Sequence, residues 1–149
     1  MSIKISLYFK RYLNLDLIEK GVKIEMIRLI GGVRFRARDG WTELSPAIVD
    51  TGAPVSTLPK RIWSECQVHK LAEYELRGVV PRKECFLPVV VGEIGCVLVD
   101  EEAVSNELLI KAYLADTDEI PPLIGFAGLL DKFKINIDYL ENKAYLEQK

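Results

Sequence analysis

The seven residues Ala47-Ile48-Val49-Asp50-Thr51-Gly52-Ala53 constrain this chain more than any other stretch. Ile48 and Val49 are β-branched and suit a buried strand. An aspartate follows them directly. A carboxylate at the end of a buried strand is costly unless it is hydrogen-bonded or partly neutralised. Gly52 then allows backbone angles, or a close approach, that a side chain would forbid. The stretch therefore predicts a buried strand ending in a carboxylate on a tight turn. Taken alone, the same residues also suit a plain strand and turn capped by Asp50, because Asp and Gly are ordinary turn residues.

Composition narrows the classes. A chain of 149 residues with 49% hydrophobic content suits one domain with a sizeable core. Twenty basic residues against 22 acidic ones give a formal charge of −2, so no basic surplus would neutralise phosphates and no nucleic-acid partner is expected. No apolar run reaches the ~18–20 residues of a membrane span. The opening Met1 to Leu13 lacks the continuous apolar stretch of a signal peptide. Cys66, Cys85 and Cys96 are odd in number and loosely spaced, which argues against a disulfide framework or a zinc site. His69 lies near Cys66, but no second ligand pair closes a metal shell. A Cys66/His69 nucleophilic pair is conceivable. The better reading is reduced structural cysteines and a surface histidine, with no metal or cofactor, in a reducing, cytoplasmic setting.

Along the chain the apolar pattern is mostly that of strands. Residues 2–13 alternate and then blur, predicting a strand through about Phe9. Asn14 to Gly21 suits a loop or short helical turn, and Val22 to Leu29 a strand. Gly31-Gly32 predicts a turn. Val33 to Arg38 alternates strictly, so Arg34, Arg36 and Arg38 are expected in solvent. Asp39-Gly40 is a strong turn signal. After Ala53, Val55 to Thr57 can form a brief strand. Pro59 opens a short helix over Lys60 to Gln67, with Ile62 and Trp63 inward. Tyr74 to Val80 and Glu84 to Val91 are strand-like around a tip at Pro81-Arg82-Lys83. Gly92 to Gly95 predicts another turn. Cys96 to Val99 and Leu108 to Leu114 are strand candidates, with an acidic, solvated stretch after them.

The chain then repeats its opening theme. Leu123-Ile124-Gly125 is again an aliphatic pair running into a glycine. Phe126, Leu129, Leu130 and Phe133 fall at i, i+3, i+4 and i+7, which predicts a short helix. Ile135 to Tyr139 and Ala144 to Leu146 read as a hairpin around Glu141-Asn142-Lys143. The whole is expected to be one mostly β domain with two short helices.

In this order the elements resemble the retropepsins, the single-domain aspartic proteases of retroviral type, which have cellular and prokaryotic relatives. The resemblance covers roughly residues 22–147, within a protease domain expected over 22–149. Residues 1–21 stand outside it as an N-terminal extension or leader strand. It implies a closed β-barrel of the acid-protease fold, one lobe per chain, with short helices after the Asp-Thr-Gly loop and near the C-terminus. It implies that Asp50 is the catalytic carboxylate. Thr51 would bond across a dimer axis, Gly52 would let the backbone approach carboxylates and substrate, and Ala53 would complete the loop. A flap hairpin carrying Gly78, Val79 and Val80 would cover the cleft, and Leu123, Ile124 and Gly125 would lie beside it.

Hydrolysis by this route needs two carboxylates facing one water. The chain has one Asp-Thr-Gly. Asp116-Thr117-Asp118 is no second copy, because it lacks the glycine and the preceding aliphatic strand. The expected enzyme is thus a homodimeric aspartic endopeptidase acting on an extended peptide. With alanine at 53, the carboxylate lacks a hydroxyl donor to its charged form, so activity is expected in a weakly acidic to near-neutral range. The alternatives are a retropepsin-like domain that dimerises or binds peptides without turnover, and an unrelated β-barrel in which Asp50 only caps a turn.

Overall fold

Period-two alternation of apolar and polar residues accounts for most of the strands. In β7 (Leu108–Ala115), Leu108, Ile110, Ala112 and Leu114 are buried while Leu109 and Lys111 are exposed. The computed structural model describes residues 2–76 and 87–149. In chain order the other elements are β1 (Ile3–Leu13), α1 (Leu15–Glu19), β2 (Glu25–Phe35), β3 (Ser45–Val49), β4 (Ser56–Leu58) and α2 (Lys60–Trp63). Then come β5 (Val68–Leu76), β6 (Leu87–Val99), β8 (Leu123–Ile124), β9 (Lys134–Asp138) and β10 (Lys143–Gln148), with a 3-10 turn at Leu130–Lys132.

The strands form a 10-stranded sheet in the order β5-β6-β7-β4-β8-β3-β2-β1-β10-β9. β2 also pairs with β6, so the pairing runs round β2-β3-β8-β4-β7-β6 and returns to β2. This near-barrel ring encloses Val33, Phe35, Ile94, Cys96, Leu98, Ile110 and Leu114. Beyond it, β1 pairs with β2 through Tyr8–Leu13 and with β10 through Ile3–Leu7. The fold is mostly β, as the sequence predicts.

Two expected turns are absent. β2 runs straight through Gly31-Gly32, and β6 runs through Gly92 and Gly95. These glycines serve close approach instead of a turn. A Cβ on Gly32 would lie 2.7 Å from the Val99 carbonyl oxygen, where β2 changes neighbours, and one on Gly92 would lie 2.7 Å from Leu114 Cδ1. Asp39-Gly40 does turn, with Gly40 at φ +82.

Other expectations are corrected by tertiary contacts. α2 is a single turn ending at Trp63, because Cys66 bridges to Ala37 and the Gln67 N–H donates to the Arg36 carbonyl. Pro59 is its N-cap and makes no side-chain capping bond. Residues 126–133 form successive turns and one 3-10 turn in place of a regular helix, since Gly128 sits at φ +73. Leu129 and Leu130 are nevertheless buried, as their spacing predicts. Arg34 and Arg38 are exposed, but Arg36 stacks 4.2 Å from the Trp41 ring and pairs with Glu107 at 2.9 Å. β5 and β6 pair as far as Leu76↔Leu87. The expected hairpin tip, with Gly78, Val79, Val80 and Cys85, lies outside the described residues.

One carboxylate ties β1 to the ring. Asp100, just past β6, accepts from the backbone N–H groups of Ser6, Glu102 and Ala103 at 2.6, 2.7 and 2.7 Å. Partial burial pushes its carboxyl up, and these donors outweigh that and hold it below the ordinary carboxylate value. A group depressed in the folded state adds stability above its unfolded value and loses it as pH falls through the folded one. Acid titration of stability is expected to be shallower in Asp100→Asn than in the wild type, measured by urea midpoints between neutral and strongly acidic pH.

Candidate active site

β3 delivers Asp50 at its C-terminal end, and β8 lies parallel beside it with Ile48↔Leu123 and Val49↔Ile124 in register. The Ile48 N–H donates to the Pro122 carbonyl at 2.9 Å, and the Asp50 N–H to that of Ile124 at 3.0 Å. Val49 and Ile124 are both buried, a contribution of about 1.5–3 kcal/mol each, which fixes the strand end before the carboxylate. After the loop, β4 pairs with the other side of β8 through Thr57↔Leu123. β8 therefore lies between the strands that enter and leave the Asp50 loop. The two aliphatic-pair elements, 75 residues apart by the step from 50 to 125, lock together.

Gly125 is the lock. A Cβ there would lie 2.7 Å from the Ala53 carbonyl oxygen, 2.7 Å from the Val55 carbonyl carbon and 2.8 Å from its oxygen. All three are backbone atoms of the Asp50 loop, so only glycine fits without moving it. The Gly125 N–H donates to buried Ser56 Oγ at 2.9 Å, and the Phe126 N–H to the Ala53 carbonyl at 3.0 Å. No local pattern marks Ser56, since its partner is distant in sequence. Ser56→Ala removes the acceptor of a buried N–H, which costs about 1–3 kcal/mol. The expected result is a lower urea midpoint at an unchanged m-value.

Asp50 itself is half-buried. Its Oδ1 accepts from the Gly52 N–H at 2.9 Å, and its carbonyl accepts from the Ala53 N–H at 3.1 Å. The capping bond of an ordinary turn is thus present, and it fixes the carboxylate's orientation. A Cβ at Gly52 would lie 3.3 Å from Oδ1, so this glycine keeps the space beside the carboxylate open. Thr51 and Gly52 are exposed. Asp50 and Thr51 line a cavity of about 240 Å³ with Ile27, Leu29, Ile137 and Tyr139. These four come from β2 and from the β9 end of the chain, and no spacing in the sequence points to them. Leu123 is half-buried and Ile124 is in the core, at 3% exposure. Gly78, Val79 and Val80 lie outside the described residues.

A larger cavity, about 1030 Å³, lies against β5 and β6 and is lined by Trp63, Tyr74, Val90 and Leu114 among others; Asp50 is not part of it. Asp116 and Asp118 belong to neither Asp-Thr-Gly geometry nor Asp50: Asp116 pairs with Lys60 at 2.9 Å, and Asp118 accepts from the Arg61 N–H at 2.6 Å, at the start of α2.

Thiol chemistry is disfavoured at Cys66 and Cys96, the two described cysteines. Burial pushes the Cys66 thiol up to about 11 and that of Cys96 up to about 12, so both stay protonated. Cys66 Sγ lies 3.1 Å from the Ile62 carbonyl, and the His69 ring meets Glu93 at 3.2 Å instead of the thiol. Among the described residues, no group of three or more His, Cys, Asp and Glu side chains is placed to hold a metal ion. None of the described helices is long and apolar enough to cross a membrane.

The ring of strands, with β8 threaded between the two strands that flank a carboxylate loop, has the retropepsin-like fold. It matches the crystal structure of a retropepsin-like aspartic protease from Rickettsia conorii with a TM-score of 0.52. That match covers 99% of this chain and 91% of the other, at 16% sequence identity. No protein-family model matches the sequence, and no curated protein matches it.

Proposed function

We propose that this chain is an aspartic endopeptidase that acts as a homodimer, with the Asp50 carboxylates of two copies facing one water. The observation that carries the reading is the Asp50 loop itself. A carboxylate stands at the open end of a buried strand, beside a cavity, on a turn held by Gly125 and Ser56. A mere turn cap needs no such support, and the surrounding fold is that of a retropepsin-like protease.

In this reading one Asp50 is ionised and takes a proton from the water. The other is protonated and polarises the scissile carbonyl. Two adjacent carboxylates cannot both ionise cheaply, so they share one proton, as aspartic proteases are known to do. Each chain brings one such carboxylate, which makes the dimer a requirement of the chemistry. Thr51 and Gly52, exposed in the single chain, are available to bond the partner's loop. The acid-protease barrel is then one lobe of a two-lobed enzyme, with residues 22–149 as the protease domain and 1–21 as an extension whose β1 joins the sheet.

An extended peptide would lie over the Asp50 loop beneath the β5–β6 hairpin, whose tip would carry Gly78, Val79 and Val80. Leu123 would border it, while Ile124 and Gly125 support the loop from below. Main-chain pairing with the hairpin would supply binding without strong sequence selection. Two buried, unpaired thiols, Cys66 and Cys96, support a reducing, cytoplasmic setting. The test is cleavage of a mixed peptide pool from weakly acidic to neutral pH, with and without a transition-state analogue of aspartic proteases. Cleavage blocked by the analogue is the expected result. Cleavage indifferent to it would overturn the reading.

A further inference from the structure

The larger cavity, about 1030 Å³, has no part in holding the carboxylate loop. Its place follows from strand register. Glu73 is in register with Val90, and Val90 with Leu114, while Glu75 is in register with Pro88. Facing residues of an antiparallel pair, and residues two apart along one strand, share a face. Glu73, Glu75, Pro88, Val90 and Leu114 therefore line one face of the sheet. Trp63, at the end of α2, and Asp116, just past β7, complete the cavity. Its aromatic walls are held in place. The Trp63 indole N–H donates to the Ala115 carbonyl at 2.7 Å, and Tyr74 stacks on Tyr113 with ring centroids 5.7 Å apart.

We propose that this cavity takes a lysine or arginine side chain of the extended peptide bound over Asp50. The substrates are then peptides with a basic residue set back from the bond that is cut. The lining suits both parts of such a side chain. Pro88, Val90 and Leu114 offer apolar contact to its methylene stem. Glu73, Glu75 and Asp116 supply negative charge for its head. Asp116 is already engaged by Lys60 at 2.9 Å. Glu73 and Glu75 are exposed, and neither pairs with a cation among the described residues. The face of Trp63 attracts a cation as well. Its ring already takes the Lys70 ammonium, 5.9 Å from the centroid, and Lys70 borders a separate, smaller cavity. Place supports the same occupant. β4, the strand leaving the Asp50 loop, ends with Leu58 in register with Leu114 of the cavity. A peptide running from Asp50 beneath β5–β6 passes here. Asp50 does not line the cavity, so the basic residue is not one of the two flanking the cut bond. Main-chain pairing accepts any extended peptide, and a side-chain pocket adds the choice.

The inference rests on the peptidase reading of Asp50, and binding tests it apart from turnover. The probes are fluorescein-labelled, otherwise uncharged decapeptides in which one arginine is moved along the chain, each matched by norleucine at the same place. Fluorescence anisotropy with the Asp50→Asn protein, which under that reading leaves them uncut, gives the affinities. At low salt one arginine position is expected to bind roughly tenfold tighter than its norleucine match. That preference is expected to fall to about threefold or less in the Glu73→Gln/Glu75→Gln double variant, and likewise near 1 M salt, where exposed charges are screened over ~3 Å. Glu73→Lys/Glu75→Lys is expected to reverse it, favouring glutamate at that position. No arginine preference at any position, a preference unchanged in the Gln double variant, or a preferred arginine flanking the bond that wild type cuts would overturn the proposal. Cleavage through Asp50 with no such preference would overturn the pocket and leave the protease reading intact. A preference that follows Glu73 and Glu75 in a wild type that cleaves nothing would support the pocket and defeat that reading.

Discussion

Asp50→Asn is expected to lower kcat/KM for peptide cleavage by about 10³-fold or more, the scale of losing a positioned acid–base group. The fold should be nearly untouched. Asparagine keeps an Oδ1 acceptor for the Gly52 N–H, which lies 2.9 Å from Asp50 Oδ1. A thermal melt close to that of wild type beside a lost rate would place the defect in the chemistry. Equal activity in the two proteins would remove Asp50 from the mechanism. A collapse of the melting temperature would instead make Asp50 a structural turn residue.

Gly125→Ala should be the most damaging small substitution near the site. The added methyl meets the Ala53 and Val55 backbone at 2.7–2.8 Å, and no flexible side chain is there to yield. Overpacking of this kind costs about 1–3 kcal/mol. The loop that must shift is the one holding Asp50, so activity should fall further than stability alone explains. The measurement is paired: urea midpoint and kcat/KM at a temperature where the variant is fully folded. A variant with normal rate and normal midpoint would show that the loop and β8 are not locked as described.

These residues show what could be read from the sequence. The two aliphatic pairs are visible because a buried strand end favours aliphatic residues locally. Their order suggested that they meet. What they meet through was not visible. Ser56 Oγ and the Gly125 N–H are 69 residues apart, and no periodicity links them. The same holds for Ile27, Leu29, Ile137 and Tyr139 around Asp50, which the sheet gathers from distant strands. The glycine signals failed in an instructive way. Gly31-Gly32 and Gly92 looked like turns, but each lies within a long strand that another strand or a side chain approaches closely. Local propensity cannot tell a glycine that bends the chain from one that admits a neighbour. Residues 126–133 show the reverse. Helical spacing correctly marked Leu129 and Leu130 as buried, yet Gly128, left-handed at φ +73, breaks the regular helix. Arg36 reads in the sequence as a solvated row member, because Trp41 and Glu107, its actual partners, lie across a turn and on another segment.

The central claim is that one active site is shared by two copies of this chain. Mixing wild type with Asp50→Asn at fixed total concentration tests it most directly. If both carboxylates are needed and the chains exchange freely, activity follows the square of the wild-type fraction, falling to about one quarter in an equimolar mixture. A linear fall to about one half would mean that each chain carries a complete site, and would contradict the shared dyad.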